Sequence, residues 1–351
     1  MRTFVGTMTG TSMDGIDAVA TLIEGSGLSM QSTFLTMATV PLKELQQDLR
    51  ELASDHRNEQ LLERLGLRIG ECTANAISAL GLEHIDTIAL HGQTIFHQPP
   101  TSVQLIDPAP ILERFDCTVL TDPRAADLKL GGQGAPITPL ADWILFRQAK
   151  ASVAVVNLGG FCNVTMLPID SQLDAVQGFD VCCCNLLLDA IARVRLGSAY
   201  DENGMVALQG CVQSELLQEI TCQLQKQYEQ HRSLGSGDDL GNKILSENSS
   251  VKTSDLLATA ATAIGTVIGR VVKDVDQVFV AGGGVHNKLL AQSIHPHAVR
   301  TDDVGVPTQA REAMAMAVLG ALAIDGVSIT LPQITGRKQT PNIVGWIQAS
   351  P

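Results

Sequence analysis

At 351 residues the chain is longer than one hydrophobic core usually supports, so two domains are expected. Its composition, 45% hydrophobic and 17% charged, fills well-buried cores and excludes a disordered chain. A formal charge of −13, no run of Lys or Arg, and only two Trp and two Tyr argue against nucleic acid, an anionic membrane surface or an aromatic stacking platform.

The N-terminus enters a strand-like run at once, without the basic start, apolar block and small-residue cleavage site of a secretory signal. Alternation and β-branched content predict strands over residues 2–8, 15–24 and 28–40. Between the first two lies a turn of Gly10, Thr11, Ser12, Met13, Asp14 and Gly15, followed by Ile16 and Asp17. Glycines let backbone N–H groups approach an anion, and hydroxyls add donors. The segment is neither a Walker loop, since no G-x-x-x-x-G-K-[ST] occurs, nor a Rossmann fingerprint, since a strand follows. A plain hairpin turn remains the alternative.

Helical spacing covers 41–53 and 58–80, and a short buried strand at 86–90 ends in His91-Gly92-Gln93-Thr94. A core histidine satisfied by backbone is the commoner reading of His91. A strand at 118–121 leads to Arg124 and Asp127, then to the loop Gly131-Gly132-Gln133-Gly134. That loop suits a polar ligand, or is simply a surface connection.

The second half repeats the plan. A hairpin at 152–167 carries Asn157, Gly159 and Gly160 at its turn, and a strand ends in Gly178-Phe179-Asp180 before a helix at 184–195. A carboxylate at a strand's carboxyl end points toward the usual ligand crevice of α/β folds. Capping the next helix is the competing role. The stretch 256–272 contains three Thr, two Gly and Arg270, which makes it a buried helix rather than a membrane span. Strand Gln277–Ala281 then ends in Gly282-Gly283-Gly284, a run that costs backbone entropy and favours close approach of a nucleotide. Eight Cys without C-x-x-C spacing, three of them consecutive, read as inert reduced thiols in a cytosol. A helix at 311–324 closes the fold, and an irregular tail follows. The expected division is an N-terminal lobe over 1–150 and a C-terminal lobe over 151–351, with the closing helix free to return to the first.

Taken in order, Gly10-Thr11-Ser12-Met13-Asp14-Gly15-Ile16-Asp17, His91-Gly92-Gln93-Thr94, Arg124 with Asp127, Asn157-Leu158-Gly159-Gly160, Gly178-Phe179-Asp180, Gly282-Gly283-Gly284 and Glu312-Ala313-Met314-Ala315 make the chain resemble the anhydro-N-acetylmuramic acid kinases of peptidoglycan recycling. The resemblance implies an actin-like sugar-kinase fold: two α/β domains of duplicated topology with ATP in the cleft. It implies conversion of 1,6-anhydro-N-acetylmuramic acid, ATP and water to N-acetylmuramic acid 6-phosphate and ADP. Asp180 matches the base that activates water. Gly10 to Asp17, Asn157, Gly159, Gly160 and Gly282 to Gly284 match nucleotide segments. His91, Arg124 and Asp127 match sugar contacts, and Asp14 and Glu312 are candidate carboxylates for Mg²⁺. A homodimer is expected by the same analogy. Two stretches depart from the family pattern: Val181-Cys182-Cys183-Cys184-Asn185 replaces Thr-Gly-Pro-Gly-Asn, and Arg232-Ser233-Leu234-Gly235 stands in an eroded Lys-Ser-Thr-Gly-Arg-Glu motif. They motivate a second reading, a relative that binds sugar or nucleotide as a sensor.

Overall fold

The computed structural model describes residues 1–10, 13–235, 237–338 and 347–348, and the chain divides into two compact units. The first unit holds Met1–Arg147 and Gly305–Pro351, the second Gln148–Val304. The segment after Gly305 thus joins the N-terminal unit, and the first boundary falls at 147/148.

The chain opens with an antiparallel meander: β1 (Arg2–Thr9), β2 (Gly15–Glu24) and β3 (Gln31–Pro41). Gly15 pairs with Pro41, so the third strand runs through Pro41 and the next helix, α1 (Gln46–Ser54), begins later than its spacing suggests. A long helix follows, α2 (Glu59–Ser78), whose Asn58 side chain accepts the Leu61 N–H as an N-cap. Then come β4 (Thr87–Leu90), the hairpin of β5 (Gln93–Gln98) and β6 (Thr101–Leu105), α3 (Ala109–Arg114), β7 (Thr118–Thr121), α4 (Ala125–Lys129) and α5 (Pro139–Phe146).

In the second unit β8 (Val153–Leu158), β9 (Phe161–Leu167) and β10 (Gln177–Cys183) form another antiparallel meander. It is followed by α6 (Asn185–Leu196), α7 (Ser214–Glu229), α8 (Gly241–Glu247), α9 (Thr253–Val271), β11 (Gln277–Ala281), α10 (Lys288–Ile294) and β12 (Ala298–Arg300). The chain then adds α11 (Arg311–Ile324), α12 (Pro332–Thr335) and β13 (Ile347–Gln348) to the first unit; of the tail expected to be irregular, residues 339–346 and 349–351 lie outside the described residues.

Both sheets share a five-stranded topology, to which the first adds β13 as an antiparallel edge strand. The first has the order β13-β7-β4-β1-β2-β3 and the second β10-β9-β8-β11-β12. In each, a three-stranded meander is extended by two strands parallel to its first strand. This is the duplicated mixed-sheet pattern expected of an actin-like sugar kinase. The central strand β8, Val-Ala-Val-Val-Asn-Leu, is buried along its whole length, as a strand covered on both faces should be.

Glycines bring helices onto these sheets. A Cβ at Gly6 would lie 2.0 Å from the Ala313 carbonyl oxygen, so β1 and α11 meet backbone to backbone. A Cβ at Gly265 or Gly269 would lie 2.4 Å from Ser293 Cβ or the Ile294 carbonyl, which is how α10 lies so close to α9. Among the described residues, no helix is long and apolar enough to cross a membrane.

Candidate active site

Of the β1–β2 turn, Gly10, Met13 and Asp14 are described. The Met13 N–H donates to the Gly10 carbonyl at 3.1 Å, and Met13 adopts the left-handed region (φ 54°), unusual for a bulky side chain. Thr11 and Ser12 lie outside the described residues. Gly15 begins β2, and the Ile16 side chain is in the core, so this residue offers only backbone to a ligand. Asp14 is exposed at the turn. Asp17 accepts the Thr39 hydroxyl at 2.5 Å, and its pKa is raised by burial, with repulsion from Asp14 adding to it.

Glu312, on the first turn of α11, shares this electrostatic environment. Burial raises its pKa, and Asp142 and Asp17 repel it while Arg311 and Arg124 draw it back. Beside it, the fully buried Arg311 donates from Nε to Asp142 Oδ1 at 3.0 Å and from Nη2 to Asp142 Oδ2. That bidentate pair anchors the helix start. Among the described residues, no group of three His, Cys, Asp or Glu is arranged to hold a metal on its own.

His91, Arg124 and Asp127 come together, though in different roles. His91 Nδ1 lies 2.8 Å from the Gly92 carbonyl, and Arg124 Nη2 lies 3.1 Å from His91 Nε2. A carbonyl accepts only, so Nδ1 carries the proton and Nε2 accepts from the guanidinium. Burial first, and Arg124 second, hold the His91 pKa down to about 3. The ring is neutral and serves as an orienting acceptor for Arg124, whose Nη1 also donates to the Gly134 carbonyl at 2.7 Å.

Asp127, for which a sugar contact was expected, is 1% exposed and uses both carboxylate oxygens within the fold. Its Oδ2 accepts the Gly134 N–H at 2.7 Å, and its Oδ1 accepts the Thr335 hydroxyl at 2.7 Å, with Arg337 Nε at 3.6 Å. The Gln133 N–H donates to the Thr335 carbonyl at 2.8 Å. The 131–134 loop is thus tied to residues two hundred positions later. Gly132 is required here, because a Cβ would lie 2.1 Å from Asp127 Oδ2.

In the second unit one row of the sheet carries the polar groups. Ala281, Asn157, Asn163 and Asp180 are successive cross-strand partners on β11, β8, β9 and β10, and directly opposed residues share a face. The β8–β9 turn receives α6: the carbonyl of Gly159 accepts the Asn185 N–H at 3.1 Å, and that of Gly160 accepts the Cys184 N–H at 2.9 Å. The N–H and C=O of a planar peptide point opposite ways, so the Gly160 N–H is directed away from the helix. Gly282 (φ 83°, ψ 171°) occupies a region essentially reserved for glycine. A Cβ there would lie 2.9 Å from Asn157 Oδ1 and from the Leu158 carbonyl oxygen; at Gly284 it would lie 2.7 Å from Leu158 Cβ. At Gly283 the nearest atom is Asn185 Nδ2 at 3.8 Å, leaving room beside the backbone. Asn157 is 3% exposed, and its Oδ1 has no hydrogen-bond partner among the described residues. A buried orphan acceptor at this position calls for a donor from water or a ligand.

Asp180 does not cap α6, whose N-cap residue is Cys184, without a side-chain bond. Its Oδ2 instead accepts the Leu234 N–H at 2.7 Å. The adjacent cysteines continue β10 into the core: Cys182, Cys183 and Cys184 are fully buried with Cys162, and burial raises all four thiols, Cys183 to about 11. They are protonated at neutral pH and inert, as expected. The departure from the family's glycine-rich sequence is absorbed as packing behind the strand. Gln93 was quoted in the sequence only as part of the His91–Thr94 motif, and Gln227 and Thr335 were missed because each acts through a long-range partner, as Gln93 does in accepting the Thr9 hydroxyl on Oε1 at 2.7 Å.

Residues 2–349 match the family model described as anhydro-N-acetylmuramic acid kinase. Proteins bearing that name are similar along almost the whole length. The one from Francisella tularensis subsp. novicida is 32% identical over 363 residues, covering 95% of each chain. That from Salinibacter ruber is 31% identical over 379 residues, covering 97% of this chain and 95% of its own. That from Bacillus thuringiensis subsp. konkukian is 30% identical over 370 residues, with 96% of each covered. Solved structures align more loosely, for example component A of the Acidaminococcus fermentans (R)-2-hydroxyglutaryl-CoA dehydratase, at TM-score 0.49 and 10% identity over 92% of this chain and 98% of that one. With its motifs in place across both units and a family match from end to end, the chain belongs to the anhydro-N-acetylmuramic acid kinase family.

Proposed function

We propose that the protein uses ATP and water to convert 1,6-anhydro-N-acetylmuramic acid to N-acetylmuramic acid 6-phosphate and ADP. The observation that carries this is Asp180 on β10, where the cross-strand row Asn157–Asn163–Asp180 ends, off the helix cap and joined to a loop, with glycine turns at 159–160 and 282–284 in the same unit. Asp180 takes a proton from water as water adds to the anomeric carbon. The C1–O6 bond opens, O6 attacks the γ-phosphorus, and ADP leaves. The proton on Asp180 returns to solvent.

The glycine turns at 10–15, 159–160 and 282–284 suit phosphate and nucleotide because little side chain blocks their backbone. Asn157 Oδ1 suits a ribose hydroxyl or an ordered water. In a chain with net charge −13, the sugar acid's carboxylate needs a local cation, and Arg124, oriented by His91, is the match.

Mg²⁺ fits as a metal carried on the phosphates with water, which needs only one or two protein carboxylates. Asp14 and Glu312 are the candidates, and the mutual repulsion of the Asp14–Asp17–Glu312 group is what a cation would relieve. When bound it would neutralise charge on the β- and γ-phosphates. ADP release is to be measured with the anhydro sugar, glucose and N-acetylglucosamine as acceptors. Release with the anhydro sugar alone is expected. Release with a plain hexose instead, or ligand binding without release, would replace this reading by a hexose kinase or a sensor.

A further inference from the structure

One bond that holds Asp180 comes from a loop with its own clamp. Leu234, whose N–H donates to Asp180 Oδ2, lies between Arg232 and Asp238. Arg232 Nη1 donates to Asp238 Oδ2 at 2.9 Å, and Arg232 Nη2 donates to Asp238 Oδ1. The Gly235 N–H donates to the same carboxylate at 2.8 Å, and the Asp238 N–H returns to the Gly235 carbonyl at 3.0 Å. The turn bearing Leu234 is therefore closed at its base by a charge-assisted, bidentate pair.

A second tie reaches the strand itself. Gln227, 7% exposed on the last turn of α7, accepts the Cys183 N–H on Oε1 at 2.8 Å and donates from Nε2 to the Asp238 carbonyl at 2.7 Å. Cys183 lies three residues beyond Asp180, just past the bulge that interrupts β10 pairing between Asp180 and Cys182. These bonds close a ring: Asp180, strand, Gln227, Asp238, clamp, Leu234 and back to Asp180. A buried amide with both ends used fixes the separation of the groups it joins.

We propose that Gln227 and the Arg232–Asp238 pair are positioning residues for Asp180, holding the Leu234 N–H on Oδ2 and so fixing the direction in which the carboxylate accepts a proton. The inference rests on Asp180 being the base of the proposed reaction. It also assigns a purpose to Arg232 and Asp238, in the stretch where the family's Lys-Ser-Thr-Gly-Arg-Glu motif is eroded.

Arg232→Ala, Arg232→Lys and Gln227→Leu are compared with the unaltered protein by steady-state kinetics and by amide hydrogen exchange at Leu234. Small misplacement of a reacting group costs up to about 100-fold in rate. The expected result is a fall in kcat of about 10- to 100-fold in Arg232→Ala and Gln227→Leu, with KM for ATP and sugar within about twofold, and partial rescue by Arg232→Lys. Exchange at Leu234 should rise in both, and in Asp180→Ala. Unchanged exchange, or a KM effect with kcat intact, overturns the proposal. Arg232, 47% exposed, tests the ring without opening a hole in the core. If the unaltered protein turned over no anhydro sugar, the kinase reading would fall alone, because exchange at Leu234 still decides whether the clamp holds the carboxylate.

Discussion

His91 shows how one neutral side chain couples a binding site to stability. Its folded pKa of about 3 lies far below the roughly 6.5 of an unfolded histidine, and His97 nearby is lowered to about 4, each chiefly by burial and then by Arg124. Between about pH 6.5 and those values the unfolded chain takes up protons that the folded chain refuses. Stability therefore falls as pH drops through that window and is unaffected above it. His91→Asn should flatten the decline between pH 6 and pH 4 in denaturant midpoints; an unchanged slope would refute the assignment. The same variant removes the acceptor for Arg124 and should raise KM for the sugar. At this scale a strand at Asp180 was legible but its end was not, since β10 runs past a bulge to Cys183 and leaves Asp180 within the strand. The inward turn of Asp127 was not legible, because its partners Thr335 and Arg337 are distant in sequence and nothing local marks it as buried.

Among the elements, the glycine turn at 282–284 and the C-terminal segment of the first unit matter most. Gly282→Ala places a Cβ 2.9 Å from two oxygens in a backbone region closed to alanine, a strain of about 1–3 kcal/mol. It should lower the melting temperature and weaken nucleotide binding, read by calorimetry with a nonhydrolysable ATP analogue; wild-type affinity would remove this loop from the nucleotide site. Thr335→Val takes away a hydroxyl from a buried carboxylate, costing about 1–3 kcal/mol. Because it loosens the 131–134 loop that carries Arg124's partner Gly134, KM for the sugar should rise while KM for ATP holds. Equal change in both would contradict that path. The helices at 59–78, 253–271 and 311–324 were readable from their apolar spacing, and the meanders from alternation. The β5–β6 hairpin and helices α7, α8 and α10 were not assigned, as short or polar elements are set by tertiary partners more than by periodicity.

For the whole molecule, the doubled topology was visible in outline because hairpin, helix, buried strand and polar loop recur. The return of residues 305–351 to the first unit was only anticipated for its helix. Its cause is physical: α11 lies on β1 at Gly6, where no side chain intervenes, and its start is locked by Arg311 to Asp142. Gly6→Ala should therefore destabilise this unit by on the order of 1–3 kcal/mol or more through overpacking, seen as a lower thermal midpoint. Removing Mg²⁺ with a chelator should abolish ADP release and leave the fold intact by circular dichroism.

The most direct test compares Asp180→Asn with the unaltered protein, measuring ADP release with the anhydro sugar and ATP affinity by calorimetry on the same preparations. Loss of a general base predicts a fall in kcat of about 10²- to 10⁴-fold with ATP binding unchanged. Full turnover by Asp180→Asn, or loss of nucleotide binding in step with activity, would contradict the account.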